Sequence, residues 1–337
     1  MDVRIATMTL TFAQPLPTAF GVLRERELLM LRLSDGDGVV GWGEAAPLEP
    51  YDWVALDDAR DALAAYEPLL RDGDDATGSE LLDACRAAAD LPQALAAVDL
   101  ALWDRAGARE GRPVAALLAA EPAPDVRVNA TIPAEDREGA AAQAAAAART
   151  GYTCVKVKVG VGDDAGRVAA VRAAVGPEVE LRLDADGAWD VEEAVRSIEA
   201  LAPAGLELVE EPVHGVDAMR AVRDRVAVRV AMDETAGDPG SLTAKVADAV
   251  CLKISRCGGI TPLLAQAALV RATGAEVYVA STFDGPVGVA AALHAAAALR
   301  PSPACGLGTL ELFADELEVL PVRRGAMAVP SSPGLGV

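Results

Sequence analysis

The chain has 337 residues, 52% hydrophobic and 24% charged, so it can bury a large core and is not expected to be disordered. Its net charge of −21 would repel nucleic-acid phosphates and anionic membranes, which argues against both as partners. With no signal-peptide pattern, no apolar stretch long enough to span a membrane and five scattered cysteines, we expect a cytoplasmic protein with reduced thiols.

The first part of the chain, residues 1–124, is predicted to be an α+β domain. Three strand-like stretches are followed by three stretches with apolar residues spaced three and four apart. The strands are expected at 3–12, 27–36 and 39–47, and the helices at 52–70, 79–89 and 91–111. Residues 14–26 contain two prolines between the first two strands and are predicted to form an irregular loop.

The next part, residues 125–309, alternates short apolar runs with alanine-rich helical stretches. The runs begin at residues 126, 153, 180, 206, 229, 249, 276 and 304. Their spacing suits one strand, one crossover helix and two loops, so a (β/α)8 barrel of the TIM type is predicted. Weak helices leave a seven-helix variant open, and residues 310–337 are expected to join the first domain.

The second run, TCVKVKVG, places Lys156 and Lys158 two residues apart, so both side chains point to one face of the strand. In a closed barrel that face is the interior, where an ammonium group needs a carboxylate partner. Lysines here would be costly unless the interior contains acids.

Charged residues also end the four strands that follow, and the C-terminal strand ends form the catalytic face of a TIM barrel. They are Asp184 and Asp186, then Glu210 and Glu211, then Asp233 and Glu234, and finally Lys253. Carboxylates from three strands suit Mg²⁺, and metal and lysines together suit a small carboxylate substrate whose α-proton is removed. Ser281 and Thr282 end the seventh strand, and Gly285 opens a helix whose first amides are predicted to hold a substrate carboxylate.

The motifs K-x-K, D-x-D-x-x-W, V-E-E-P, M-D-E and L-K-I-x-x-x-G-G follow one another on consecutive strands. In this order they resemble the muconate-lactonizing subgroup of the enolase superfamily. The resemblance implies a modified TIM barrel with an N-terminal α+β capping domain, and Mg²⁺, replaceable by Mn²⁺, bound by Asp184, Glu210 and Asp233. It also implies that Lys158 is an acid/base, Lys253 its counterpart across the site and Lys156 an assisting cation.

One departure from the family pattern is Asp186, where Asn is common; whether it binds the metal is left open. Glu211 and Glu234 are predicted to support the ligands beside them. The resemblance also places residues 14–26 over the barrel mouth, with Phe20 and Arg24 as substrate contacts. Neither His214 nor His294 is given a catalytic role.

The resemblance implies that an enediolate forms when the α-proton leaves. The eighth strand reads CGLGT, without the acids that dipeptide epimerases carry there, and its surroundings resemble o-succinylbenzoate synthases of menaquinone biosynthesis. An N-acyl amino acid racemase and a muconate-type cycloisomerase remain open, as do a Schiff-base aldolase, a non-catalytic barrel and a homo-oligomer.

Overall fold

The N-terminal domain is an antiparallel sheet of three strands covered on one side by helices. The computed structural model describes residues 1–18, 21–133, 136–315 and 319–337. The strands are β1 (Asp2–Thr18), β2 (Gly21–Ser34) and β3 (Val40–Ala45), and the helices are α1 (Glu49–Asp52), α2 (Leu56–Arg71), α3 (Gly78–Ala88), α4 (Pro92–Glu110) and α5 (Val114–Leu118). Leu29, Leu31 and Leu33 of β2 pack against Leu63 and Tyr66 of α2, as the helical spacing predicted.

The irregular loop expected at residues 14–26 is not found. Apart from residues 19 and 20, which lie outside the described residues, this segment belongs to β1 and β2, whose pairing continues through Leu16 and Leu23 to Thr18 and Gly21. The prolines are tolerated because β1 is an edge strand and its register shifts between Thr11 and Leu16.

Helix α4 lies directly on strand β3 because two glycines leave room for it. A Cβ atom at Gly41 would lie 2.1 Å from the carbonyl oxygen of Ala101, and one at Gly43 would lie 1.8 Å from that of Ala97. Neither distance is possible for real atoms. The GWGE sequence therefore fixes the position of Glu44, the next residue of the strand.

The second domain contains a parallel sheet of seven strands whose order follows the chain. The strands are β5 (Ala130–Ile132), β6 (Cys154–Lys158), β7 (Glu180–Asp184), β8 (Leu206–Glu210), β9 (Val230–Met232), β10 (Ala249–Lys253) and β11 (Glu276–Ala280). The helices between and after them are α6 (Arg137–Arg149), α7 (Asp164–Val175), α8 (Val191–Leu201), α9 (Val216–Arg223), α10 (Ile254–Cys257), α11 (Ile260–Ala272) and α12 (Pro286–Leu299). Short 3-10 helices occur at Ala202–Ala204, Glu234–Gly237, Ser241–Thr243 and Leu310–Leu312. This arrangement confirms the predicted barrel of the modified TIM type.

The ends of the sheet are joined by the segment predicted as the eighth strand. Cys305 bridges Val128 on one side, and Gly306 bridges Ala280 on the other. Only these single bridges form in the segment, which contains Gly306 and Gly308 and so has a weak preference for extended strand. The predicted first strand is also divided, because β4 (Asp125–Arg127) pairs outside the barrel with β13 (Ala326–Ala328), which in turn pairs with β12 (Val322–Arg323).

Residues after the barrel return to the N-terminal domain. Phe313 bridges Phe12, and the amide of Ala314 donates to the carbonyl of Thr11 at 2.7 Å. Further on, the amide of Val114 donates to the carbonyl of Gly334 at 2.9 Å. No helix in the described part of the chain is both long enough and apolar enough to cross a membrane.

Candidate active site

Three of the four lysines of the chain lie together at the C-terminal ends of the barrel strands. Lys158 and Asp184 are register partners in β6 and β7, and Asp184 and Glu210 are partners in β7 and β8. Because parallel strands end at the same edge of a sheet, their charged side chains meet in the barrel mouth.

Both lysines of β6 point into the barrel, as their alternation with the buried valines predicted. Lys156 Nζ lies 2.7 Å from Asp184 Oδ2 and 2.8 Å from Glu210 Oε1. Lys158 Nζ lies 2.7 Å from the same Asp184 oxygen and contacts both oxygens of Asp186 at 2.7 and 2.8 Å. Each buried ammonium group therefore has carboxylate partners.

Lys253 enters from the other side of the site, at the end of β10. Its Nζ lies 2.6 Å from Asp233 Oδ2 and donates to the hydroxyl of Tyr51, a residue of α1 in the N-terminal domain. Arg256 also donates to this hydroxyl, at 3.0 Å. The aromatic ring of Tyr51 lies 4.3 Å from Lys253 Nζ, so the N-terminal domain covers this lysine.

Two opposing effects set the pKa values of the acids: burial and repulsion between the acids raise them, and the lysines lower them. Burial would raise the pKa of Asp184, but Lys156 and Lys158 lower it overall. Burial raises the pKa of Glu210 to about 7, opposed by Lys156 and assisted by Asp184 and Asp233. Burial would lower the pKa of Lys158, yet Asp184 and Asp186 raise it overall.

The proposed ligands fit a hard divalent cation. Glu210 is fully buried and its Oε2 atom has no hydrogen-bond partner among the described residues. Donor atoms of Glu210, Asp233 and Cys251 lie within 4.8 Å of one another. Burial raises the pKa of the Cys251 thiol well above its usual range, so it stays neutral and the carboxylate oxygens are the suitable ligands. A cation there would compete with the lysines for Asp184 and Glu210.

The acids beside the predicted ligands have separate contacts. Asp186 pairs with Lys158, and its amide donates to Asp184 Oδ1 at 3.1 Å. Glu211 turns away and accepts from the amides of Asp233 and Thr235 at 2.8 and 2.9 Å, which holds the segment that carries Asp233. Burial and Asp233 raise the pKa of Glu234 to about 8.

The predicted substrate contacts in the barrel have hydrogen-bond partners within the protein. Ser281 Oγ accepts from the hydroxyl of Thr309 at 3.0 Å, and Thr282 is buried with its hydroxyl 3.2 Å from that of Ser255. The amide of Gly285, predicted to hold a substrate carboxylate, instead donates to Glu44 at 2.7 Å, so the carboxylate at this helix start belongs to the protein.

The two contacts predicted in the N-terminal domain are Phe20 and Arg24. Phe20 lies outside the described residues. Arg24 is exposed in β2, and no hydrogen bond or ion pair joins it to the site residues that the structure describes.

A cavity of about 260 Å³ lies beside Lys253, between the two domains. It is lined by Asp233 and Arg256 of the barrel and by Val54 and Gln93 of the N-terminal domain, among others. Sequence reasoning missed Tyr51 and Arg256. Arg256 lies within the L-K-I-x-x-x-G-G motif and could have been noticed there, whereas nothing in the sequence around Tyr51 indicates a contact with Lys253.

Comparison with known proteins agrees with this architecture. Residues 1–119 match the N-terminal domain of mandelate racemase and muconate-lactonizing enzymes, and residues 139–337 match the enolase C-terminal domain-like family. An o-succinylbenzoate synthase of Thermobifida fusca is 36% identical, over 93% of this chain and 86% of the relative. An L-Ala-D/L-Glu epimerase of Bacillus subtilis is 30% identical, over 99% of this chain and 96% of the relative.

Among solved structures, a dipeptide epimerase of Enterococcus faecalis complexed with Mg and the dipeptide L-Leu-L-Tyr superimposes with a TM-score of 0.92. It is 24% identical, and the alignment covers 99% of this chain and 98% of that one, which supports the fold. The two matched domains and the long alignments lead to one conclusion: the chain belongs to the mandelate racemase and muconate-lactonizing enzyme family, in the muconate-lactonizing subgroup of the enolase superfamily.

Proposed function

We propose that this protein dehydrates a hydroxylated cyclohexadiene carboxylate bearing a succinyl group to o-succinylbenzoate, in menaquinone biosynthesis. The observation that carries the proposal is the 36% identity to an o-succinylbenzoate synthase over 93% of the chain. Residues 304–309, which close the barrel, contain no carboxylate to receive a substrate ammonium group, and this absence favours the synthase over a dipeptide epimerase.

In this reaction Lys158 removes the α-proton, and the electron pair of the broken C–H bond is first held in the enediolate of the substrate carboxylate. It then forms the new double bond as the C–O bond to the hydroxyl breaks. The same ammonium group returns its proton to the departing hydroxide, so that water leaves and no further acid is needed. Mg²⁺ held by Asp184, Glu210 and Asp233 would supply positive charge to the substrate carboxylate while the proton leaves. Lys253 stays cationic and stabilises the negative charge from the other side, with Lys156 assisting.

Racemisation or epimerisation of an α-substituted carboxylate is the second candidate. It is favoured by the placement of Lys158 on β6 and Lys253 on β10, which are separated by three strands and so approach the site from different sides. The 30% identity to an L-Ala-D/L-Glu epimerase supports the same candidate function. A muconate-type cycloisomerisation would use the same groups.

The test is a screen in D₂O with Mg²⁺ against the o-succinylbenzoate precursor, N-acyl amino acids, dipeptides and muconate. Lys158→Ala should reduce dehydration at least about 10²-fold, the low end for losing a general base. The matched control is Lys245→Ala, because Lys245 is the exposed fourth lysine and lies outside the site. Dehydration by Lys158→Ala at the wild-type rate would refute the proposal.

The two lysine variants also separate the candidates. A racemase needs both lysines, so Lys253→Ala would abolish racemisation yet leave the deuterium exchange served by Lys158. A synthase would show exchange through Lys158 alone. Trapping of substrate by borohydride would indicate a Schiff-base aldolase instead.

A further inference from the structure

A carboxylate of the N-terminal domain is buried at the first turn of a barrel helix. Glu44, in β3, is 2% exposed, and its two oxygens accept from the amides of Gly285 and Gly288 at 2.7 and 3.2 Å. These amides begin α12, where a helix has unpaired N–H groups and a partial positive charge. A side chain from one domain therefore caps a helix of the other.

The first turn of α12 is shaped around this carboxylate. A Cβ atom at Gly285 would lie 2.7 Å from Glu44 Oε2, and one at Gly288 would lie 2.7 Å from Glu44 Oε1. Both distances are shorter than any ordinary contact. Gly285 has a φ of −78°, so glycine is needed here for space and not for an unusual backbone conformation.

The loop just before α12 leads from Glu44 into the active site. The amide of Asp284 donates to Ser281 Oγ at 2.8 Å, and the amide of Thr282 donates to Asp284 Oδ2 at 3.2 Å. Thr282 in turn contacts the hydroxyl of Ser255, which lies two residues after Lys253. The position of α12 is thus transmitted through one turn of chain to the predicted substrate contacts.

A buried cation completes this junction on the side of the N-terminal domain. Arg26 is 3% exposed and donates to the carbonyls of Ala46, at 2.8 Å, and Pro47, the residues that follow β3. Burial lowers the pKa of Arg26, and the charges of Asp284 and Glu44 partly oppose this effect. The guanidinium group therefore holds the end of β3. Burial raises the pKa of Glu44 to about 7 and also raises that of Asp284, and the charge of Arg26 opposes both effects.

We propose that Glu44 is a positioning residue for the reaction: it sets the loop between β11 and α12, and through it the predicted substrate contacts Ser281 and Thr282. Its contacts on α12 lie three and more residues beyond Thr282, so it acts through the loop and does not touch the reacting atoms. The measurement of KM and kcat that tests this inference rests on the proposed function, whereas the measurement of amide exchange does not.

The main variant is Glu44→Gln, with Glu27→Gln as the matched control, because Glu27 is an exposed carboxylate in the same hairpin. Glutamine keeps the shape of the side chain but removes the charge and one of the two acceptors. The amides of Gly285 and Gly288 should exchange with D₂O at least about tenfold faster, the size expected for losing a charged hydrogen bond. KM should rise by about tenfold with kcat changed less than about threefold, because binding contacts are displaced and the lysines are not.

Faster amide exchange with unchanged KM and kcat would overturn the proposal, since Glu44 would then only stabilise the domain contact. If Glu44→Gln does not fold, Gly288→Ala provides the second variant. Its methyl group would lie 2.7 Å from Glu44 Oε1 and 2.8 Å from Asp284 Cβ, so it would displace the capping carboxylate and the loop residue beside it without removing a charge. Gly288→Ala should raise KM in the same way, and a wild-type KM in a folded Gly288→Ala protein would also overturn the proposal. If the wild type does not dehydrate the o-succinylbenzoate precursor, only the proposed function is refuted. The effect of Glu44→Gln on KM and kcat is then measured with the carboxylate substrate that the D₂O screen identifies.

Discussion

His294 should make the stability of the protein fall as the pH is lowered below its ordinary pKa. This fully buried residue lies in α12; its Nδ1 accepts from the amide of Ala115 at 3.0 Å, and its Nε2 donates to the carbonyl of Leu335 at 3.1 Å. A neutral imidazole ring has one acceptor and one donor, which matches these partners. A protonated ring would present a second donor to the Ala115 amide.

Burial lowers the pKa of His294 from 6.5 to about 4, so the folded protein resists its protonation while the unfolded chain does not. The resulting stability is fully present above pH 6.5 and is lost progressively as the pH falls towards 4. The difference of roughly 2.5 pH units corresponds to about 3 kcal/mol in the free energy of unfolding. About 2 kcal/mol of this is lost by pH 5.

The assay is denaturant unfolding of the wild type and His294→Gln at about pH 7.5 and pH 5. The variant cannot titrate at this position, so its free energy of unfolding should fall by about 2 kcal/mol less than that of the wild type between the two pH values. His214→Gln is the control, because hydrogen bonding to Glu211 raises the pKa of His214 and its contribution changes with pH in the opposite direction. Parallel pH dependences of the wild type and His294→Gln would refute the reasoning.

Three further outcomes follow from the site. Protein stripped of metal should lose turnover and regain it with Mg²⁺ or Mn²⁺, and full activity in excess chelator would contradict the metal assignment. Asp184→Asn, Glu210→Gln and Asp233→Asn should each weaken Mg²⁺ binding measured by calorimetry at least about tenfold while the protein stays folded; turnover by the triple variant would mean that other acids bind the metal. Lys253→Ala should lower dehydration less than Lys158→Ala if the protein is a synthase, whereas equal losses of racemisation would indicate a racemase.

The barrel and its charged rim could be predicted because they depend on local, repeated signals. Alternation placed Lys156 and Lys158 on one face, and the ends of successive runs brought Asp184 and Glu210 to one edge, where the structure has them in register. The irregular loop predicted at residues 14–26 was wrong for the described residues, which lie in β1 and β2, because prolines normally break strands and only the position of β1 at the sheet edge makes them acceptable.

Contacts between the domains could not be predicted, because they depend on how the two domains pack. Tyr51 and Lys253 are 202 residues apart in sequence, and Glu44 and Gly285 are 241 apart. Neither pair has a shared periodicity or motif that links its members. The sequence does not distinguish a glutamate at an exposed strand end from one that caps a distant helix. Only the packing of α4 on β3 shows which of the two Glu44 is.

Because the end of the chain returns to the N-terminal domain, some contacts of that domain form late during synthesis. Ala314 and Gly334 complete contacts with Thr11 of β1 and Val114 of α5, which leave the ribosome much earlier. Roughly 200 residues separate α5 from these partners. At a synthesis rate of about 5 to 20 residues per second, the partners are made roughly 10 to 40 seconds after α5. During synthesis the first domain therefore lacks these hydrogen bonds for an interval in which chaperones have time to bind the nascent chain.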